Sequence, residues 1–376
     1  MRRVLLPHVV SEEPAPAGGV IRDFAGHSMG TSWSARLVAA PDDACAHVRQ
    51  GLQQQLDAVV AEMSHWEVDS DLGRFNRAEA GSWQQLPPAF FDVLAFALDV
   101  ARESGRACDP CAGALVNLWG FGPHGRFGQP DFVPPSAEQI GAALALQPAL
   151  LDRESRRAWQ PGGVQLDLSS VAKGYSVDRL AYYLKSQGYA HCLVEVGGEL
   201  RGAGVKPDGQ PWWVALEQVI DTGARRPDES ALETVSDAGS PQPDEGGAGR
   251  PDELALQLAA DVDARQPDEL VLALHGLSVA TSGDYRRYFE LDGRRYSHTI
   301  DPRNGMPIAN DLASVTVVHP QCMAADAWST ALTVLGCEHG LRLAERQGLA
   351  ARFVVRQPDG GYTEHMTTHL RSMLDE

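Results

Sequence analysis

Asp326 and Thr330 stand four residues apart in "AADAWSTALTVLG", a stretch with a helical apolar period, so a carboxylate and a hydroxyl project from one helix face. Two oxygen donors side by side suit a hard cation such as Mg²⁺, which keeps waters or substrate phosphates as its remaining ligands. The alternative is an acidic residue favoured near a helix start by the macrodipole, with an incidental threonine. A second set lies in "SSVAKGYSVDR", where Ser170 and Lys173 have the S-x-x-K spacing of serine acyl-enzymes. Neither S-D-N nor K-T-G, the companion motifs of such a site, occurs in the chain, so little supports Ser170 as a nucleophile. Lys173 is one of three lysines among 32 basic residues. A coding bias toward arginine would explain that, but a compact ammonium also does what a guanidinium does poorly.

His298, in "YSHTIDPRNG", ends a strand-like run before an Asp-Pro turn. An imidazole titrates near working pH and can act as a general base, although a lone histidine is as a rule structural. "TSGDYRRY" adds a glycine turn flanked by hydroxyls and Asp284. The turns in "EVGGELRGAG" and "MGTS" could bring backbone N–H groups to a phosphate, yet neither is a Walker loop or a dinucleotide fingerprint. His365 and His369 have zincin-like spacing in "HMTTH" but lack the glutamate, and "CDPC" has no second cysteine pair.

The elements that must position these groups are read from periodicity. "DDACAHVRQGLQQQLDAVVAEMSHW", "PPAFFDVLAFALDVARESG" and "VAKGYSVDRLAYYLKSQGY" read as helices, and "MAADAWSTALTVLG" and "GLRLAERQGL" as two more. "HSMGTSWSARLVA", "VQLDLSS", "HCLVEVGGELRGAG", "WWVALEQV" and "LASVTVVHP" read as strands, with "DG" at 292–293 as a hairpin turn. "ACDPCAGALVNLWGFG" is a buried helix or loop, and "DSDLGRFNRAEAGSW" is polar and turn-rich. Between about 218 and 270 the composition shifts: PDE recurs at 227, 243, 251 and 267, and 13 acidic residues face 4 basic ones. That stretch carries half of the chain's net charge of -18 and no aromatic residue, so residues 221–266 are expected to be a disordered surface insertion.

With 376 residues and 43% apolar content, the chain can bury a substantial core. Its net charge argues against nucleic acid as a partner, because phosphate binding needs clustered Lys and Arg. No apolar run is long enough to span a membrane, the N-terminal apolar segment is short for a secretory signal, and the six scattered cysteines fit reduced thiols. A cytoplasmic chain is expected.

In order along the chain, "MGTSWSARL", "EMSHWEVDSDLGRFN", "CDPCAGALVNLWGFG", "LDLSSVAKGYSVDRL", "VEVGGELRG", "TSGDYRRYFELDGRRYSHTIDPRNGMP" and "SVTVVHPQCMAADAWSTALTVLG" resemble the blocks of the ApbE-type FAD:protein FMN transferases. The resemblance implies an α+β, T-fold-related protein of two lobes with mixed sheets and helices and the flavin nucleotide between them. It divides the chain into an N-terminal extension, 1–24, and a flavin transferase unit, 25–376, that carries the insertion. It implies a Mg²⁺-dependent reaction, with Mn²⁺ as a substitute, in which FAD is the substrate, FMN joins a threonine hydroxyl of an acceptor flavoprotein, and AMP leaves. FAD hydrolysis at the same metal, or flavin binding without turnover, are the alternatives. Carried over by motif, Asp326, Thr330 and the Ser170 carbonyl are the metal ligands and His298 is the base. Met29, Trp66, Ala107, Cys108, Asp109, Asp167, Lys173 and Ile300 face FAD, with the lysine near its phosphates. Trp66 stands where tyrosine is common and Cys111 where threonine is usual; the first keeps an aromatic face and loses a hydroxyl.

Overall fold

The computed structural model describes residues 3–9, 18–129, 131–216, 270–283, 288–291 and 293–375. The expected insertion at 221–266 and Asp284 lie outside them.

An antiparallel sheet of eight strands is the frame. From one edge to the other its order is β18 (Tyr362–Met366), β17 (Ala350–Arg356), β16 (Leu312–His319), β11 (Leu277–Gly283), β8 (Glu199–Ala203), β7 (Cys192–Val196), β3 (Thr31–Ala39) and β2 (Val20–Ser28). β7 and the middle of β16 are buried along their whole length, as strands covered on both faces must be. Two tight hairpins aim at one end of this frame. Met29-Gly30 joins β2 to β3 with φ 54° and 68°, and Gly197-Gly198 joins β7 to β8 with φ 60° and 100°. Positive φ at both central residues matches the right-handed twist of the strands; glycine adopts it freely, whereas Met29 holds it at a cost.

On one face pack α1 (Val48–Met63), α6 (Ala172–Ser186) and α7 (Cys322–Arg346). Leu52 and Leu56 of α1 meet Val177 and Leu180 of α6 over Trp33 and Val194 of the sheet. The two helices expected after "MAADAW" run together as α7, but Gly336 inside it has φ 76° and ψ 172°, which breaks the helical path where one helix was expected to end. The opposite face is covered by a smaller sheet, β1 (Arg3–Leu5), β10 (Leu270–Leu274) and β9 (Trp212–Ala215). Within the stretch 1–24 set apart as an extension, Arg3–Leu5 pairs in parallel with β10, and Val20 opens β2.

The other lobe holds α2 (Asp71–Asn76), α3 (Pro88–Glu103) and a three-stranded sheet of β4 (Ser82–Gln85), β5 (Leu150–Asp152) and β6 (Arg157–Gln160). Its core, with Phe75, Phe90 and Leu94, is continuous with Trp328 and Leu332 of α7. The polar run read as turns thus contains α2, capped by Ser70 Oγ accepting from Gly73 N at 2.8 Å. The run "VQLDLSS", expected as a strand, forms only one isolated bridge, Gln165 to Ala112. Asn76 takes the place of a neighbouring strand: its Oδ1 accepts from Leu166 N at 2.7 Å and its Nδ2 donates to Leu166 O at 3.0 Å.

A third group of elements is aromatic: α4 (Gly113–Leu118), α5 (Ala137–Leu144), the β12 (Tyr288–Leu291)–β13 (Arg294–Ser297) hairpin, and the short pair β14 (Ile300–Asp301) and β15 (Met306–Pro307). Phe289 stacks on Tyr296 with ring centroids 4.9 Å apart. The chain ends in β18 and a short α8 (Thr368–Arg371).

Candidate active site at the junction of two helix starts

The N-terminal turns of α6 and α7 meet at Gly174. A Cβ at this position would collide with the Cys322 carbonyl and come within 2.7 Å of Asp326 Cβ, so only glycine lets the helices approach this closely. Gly174 N–H donates to Asp326 Oδ2 at 2.9 Å. In an uninterrupted helix this N–H would close on the Ser170 carbonyl four residues back. Among the described residues no hydrogen bond ends on that carbonyl, which is left open at the turn. The start of α7 is held by Asp178 of α6, whose carboxylate accepts from Cys322 N at 3.0 Å and Met323 N at 2.9 Å and also pairs with Arg201.

Asp326 is 4% exposed, and its carboxyl is pushed up to about 7, chiefly by burial and then by repulsion from Glu199. The Lys173 ammonium and the Gly174 N–H act in the opposite sense. Lys173 Nζ donates to Glu199 Oε1 at 2.7 Å, and Glu199 Oε2 is buried without a hydrogen-bond partner. Thr330 is half-buried one turn beyond Asp326. Among the described residues no three His, Cys, Asp or Glu side chains converge. A cation held here would draw on mixed oxygens, namely the Asp326 carboxylate, the Thr330 hydroxyl and the open Ser170 carbonyl. That donor set fits Mg²⁺.

Around this junction the expected flavin contacts gather from both lobes. Cys108 Sγ lies 3.3 Å from Ser170 Oγ, and its thiol is pushed up to about 12 by burial, which leaves it unreactive. Asp167 sits on the same turn, its Oδ1 accepting from Ser169 N at 2.8 Å and lying 3.6 Å from His65 Nδ1. Ala107 is buried, and Asp109 is fixed by Arg106 Nε at 2.6 Å and Cys111 N at 2.8 Å. Met29 packs against the cores beneath both lobes. Trp66 is 43% exposed, tilted on His65 with 5.3 Å between ring centroids, and has the Arg126 guanidinium over its ring at 5.5 Å.

His298 and Ile300 belong to the aromatic group instead. His298 is half-buried with its ring 6.4 Å from Phe121, and Ile300 is buried against the same cluster. Sequence reasoning did not single out Glu199, His65 or Asp178. Glu199 was legible only as a letter inside a glycine turn, 26 residues from the lysine it meets.

Taken together, a carboxylate–ammonium pair, a second buried carboxylate and an open carbonyl, bordered by an exposed indole, are the equipment for a cation and a phosphorylated aromatic ligand. The chain belongs to the ApbE family, whose model matches residues 29–240 and 247–353. It is 32% identical over 367 residues to the FAD:protein FMN transferase of Klebsiella pneumoniae (strain 342), covering 96% of this chain and 91% of that one. It is 34% identical over 368 residues to the enzyme of the same name from Salmonella typhimurium, covering 96% and 90%. Among solved structures, the apo form of the Pseudomonas stutzeri flavinyl transferase ApbE superposes with a TM-score of 0.75 at 35% identity, over 94% of this chain and 97% of that one. The flavin transferase ApbE of Vibrio cholerae gives 0.75 at 29% identity, over 94% and 99%.

Proposed function

We propose that this chain is a Mg²⁺-dependent FAD:protein FMN transferase that moves FMN from FAD to a threonine hydroxyl of an acceptor flavoprotein and releases AMP. The observation that carries the reading is the Gly174 junction, where Asp326, Lys173 and an open Ser170 carbonyl meet in a chain of the ApbE family. Trp66 and Met29 would lie against the flavin, with Ile300 in the same pocket, and Ala107, Cys108, Asp109 and Asp167 would border the rest of the dinucleotide. Lys173 would bind pyrophosphate oxygens. Mg²⁺, or Mn²⁺ in its stead, held by Asp326, Thr330 and the Ser170 carbonyl, would neutralise the pyrophosphate charge. His298 would take the hydroxyl proton as the threonine oxygen bonds to the FMN phosphorus, while the bond from that phosphorus to the bridging oxygen breaks and AMP departs with the electron pair. The same reading makes residues 25–376 one catalytic unit with 221–266 as its surface insertion. It also sets the enzyme in the cytoplasm, where its six free cysteines would stay reduced.

The test incubates the protein with FAD, Mg²⁺ and an acceptor carrying an exposed threonine. The acceptor should gain the mass of FMN less water, with one AMP released for each acceptor modified. FAD that stays intact, with Mn²⁺ also tried, would overturn the reading; FMN and AMP with an unmodified acceptor would make the protein a pyrophosphatase. Asp326→Ala should lower turnover by at least about 100-fold while leaving far-UV circular dichroism unchanged.

A further inference from the structure

Glu199 opens β8 immediately after the Gly197-Gly198 turn, and its side chain reaches the face of the sheet on which α6 and α7 meet. It is 2% exposed, and its two oxygens differ. Oε1 accepts from Lys173 Nζ at 2.7 Å, whereas Oε2 is buried and has no hydrogen-bond partner. A buried carboxylate oxygen left unpartnered is costly, and native structures keep one mainly where something absent from the protein chain satisfies it. The connectivity points the same way. Lys173, which holds Oε1, is followed by Gly174, whose N–H binds Asp326, so Glu199 and Asp326 are tied to adjacent residues of one helix start. One bare carboxylate oxygen remains there, buried.

We propose that Glu199 is the second carboxylate of the cation site, its Oε2 serving the divalent ion held by Asp326, directly or through one ion-bound water. The inference rests on the functional reading above, and it adds a residue from β8 to a donor set otherwise drawn from α6 and α7. It explains why a glutamate is buried beside an aspartate with one lysine between them. It also gives the Gly-Gly hairpin a structural purpose: the tight turn starts β8 where its first side chain can reach the helix junction.

Mn²⁺ titration followed by electron paramagnetic resonance tests this on the full chain, with and without FAD, alongside Mg²⁺-dependent shifts in melting temperature. Glu199→Gln keeps shape and one acceptor oxygen while removing the charge, and should weaken Mn²⁺ binding by about 10–100-fold. The loss should persist in a Lys173→Met background, because it does not act through the ammonium. Asp326→Asn serves as the reference. If Asp326→Asn abolishes Mn²⁺ binding while Glu199→Gln leaves it within about twofold, this proposal is overturned and the metal assignment stands. A Glu199→Gln effect that vanishes when Lys173 is Met also overturns it, making Glu199 a support for the lysine alone. If the wild type binds no Mn²⁺ in either condition, the metal reading fails and this proposal with it.

Discussion

Ser170 and Lys173 lie three residues apart yet relate to the site through different atoms. Among the described residues the Ser170 hydroxyl meets only the Cys108 thiol at 3.3 Å, a weak contact, while no hydrogen bond ends on its carbonyl, because the Gly174 N–H that would reach it in a regular helix goes to Asp326. Ser170→Ala keeps that carbonyl and should cost no more than about 1 kcal/mol, roughly fivefold in kcat/KM for FAD. Lys173→Ala removes the counter-ion of a buried carboxylate. It should lower the melting temperature through a loss of about 3–5 kcal/mol and reduce kcat/KM well beyond Ser170→Ala. Side-by-side steady-state rates check the contrast; a dead Ser170→Ala with an active Lys173→Ala would return the site to the acyl-enzyme reading. Asp326, Thr330 and Lys173 could be noticed in the sequence from helical spacing and residue type, and the family resemblance gave them their expected roles. Glu199 could not, since no period links a strand's first residue to a helix 26 positions earlier.

At the scale of elements, the site depends on how closely α6 and α7 approach. Gly174→Ala would push its Cβ into the Cys322 carbonyl and Asp326 Cβ. The change should destabilise the fold by about 1–3 kcal/mol and shift the Asp326 carboxylate, read as a lower urea midpoint and weaker metal response. Helices were legible because their apolar period of 3.6 survives whatever they pack against, as for α1, α3 and α6. "VQLDLSS" misled for a complementary reason. Alternating burial marks an extended chain with one face inside, but a strand needs a continuous partner backbone, and here residues 110–113 bond only to Gln165 and Asp167 while the Asn76 side chain serves Leu166. The polar run before β4 concealed α2 because six residues with one cap offer too few turns for a period to show.

At the scale of the whole molecule, the N-terminal strand is tied to the far edge of the large sheet. Glu364 of β18 receives Arg3 Nη1 at 2.5 Å and Nη2 at 2.9 Å, and Arg352 Nε at 2.6 Å. Burial raises the Glu364 carboxyl, but the bonds from Arg3 and Arg352 outweigh it and hold the group below its usual value. A carboxyl depressed in the folded state contributes stability above its unfolded pKa, and loses it as pH falls through the folded one. Melting temperature should therefore fall between about pH 5 and pH 3 in the wild type and less steeply in Glu364→Gln.

The stretch 217–269 departs from and returns to adjacent strands: Leu216 N–H donates to Leu270 O at 2.8 Å, and Ala215 stands opposite Val271. A two-residue Asn-Gly turn in place of residues 217–269 could bridge that antiparallel pair. Flavin transfer by such a variant should stay within about threefold of the parent, and lost transfer with retained folding would give the acidic stretch a direct role. The sequence by itself determined the longer helices and the ordered motifs whose family resemblance implied the class of chemistry, because residue type and local period are written in consecutive positions. Only the tertiary structure decided that Gly174 sets the helix contact, that among the described residues no hydrogen bond ends on the Ser170 carbonyl, and that a buried glutamate meets Lys173. Those facts depend on distances between segments far apart in the chain, which packing and hydrogen-bond satisfaction choose once the sheet has closed.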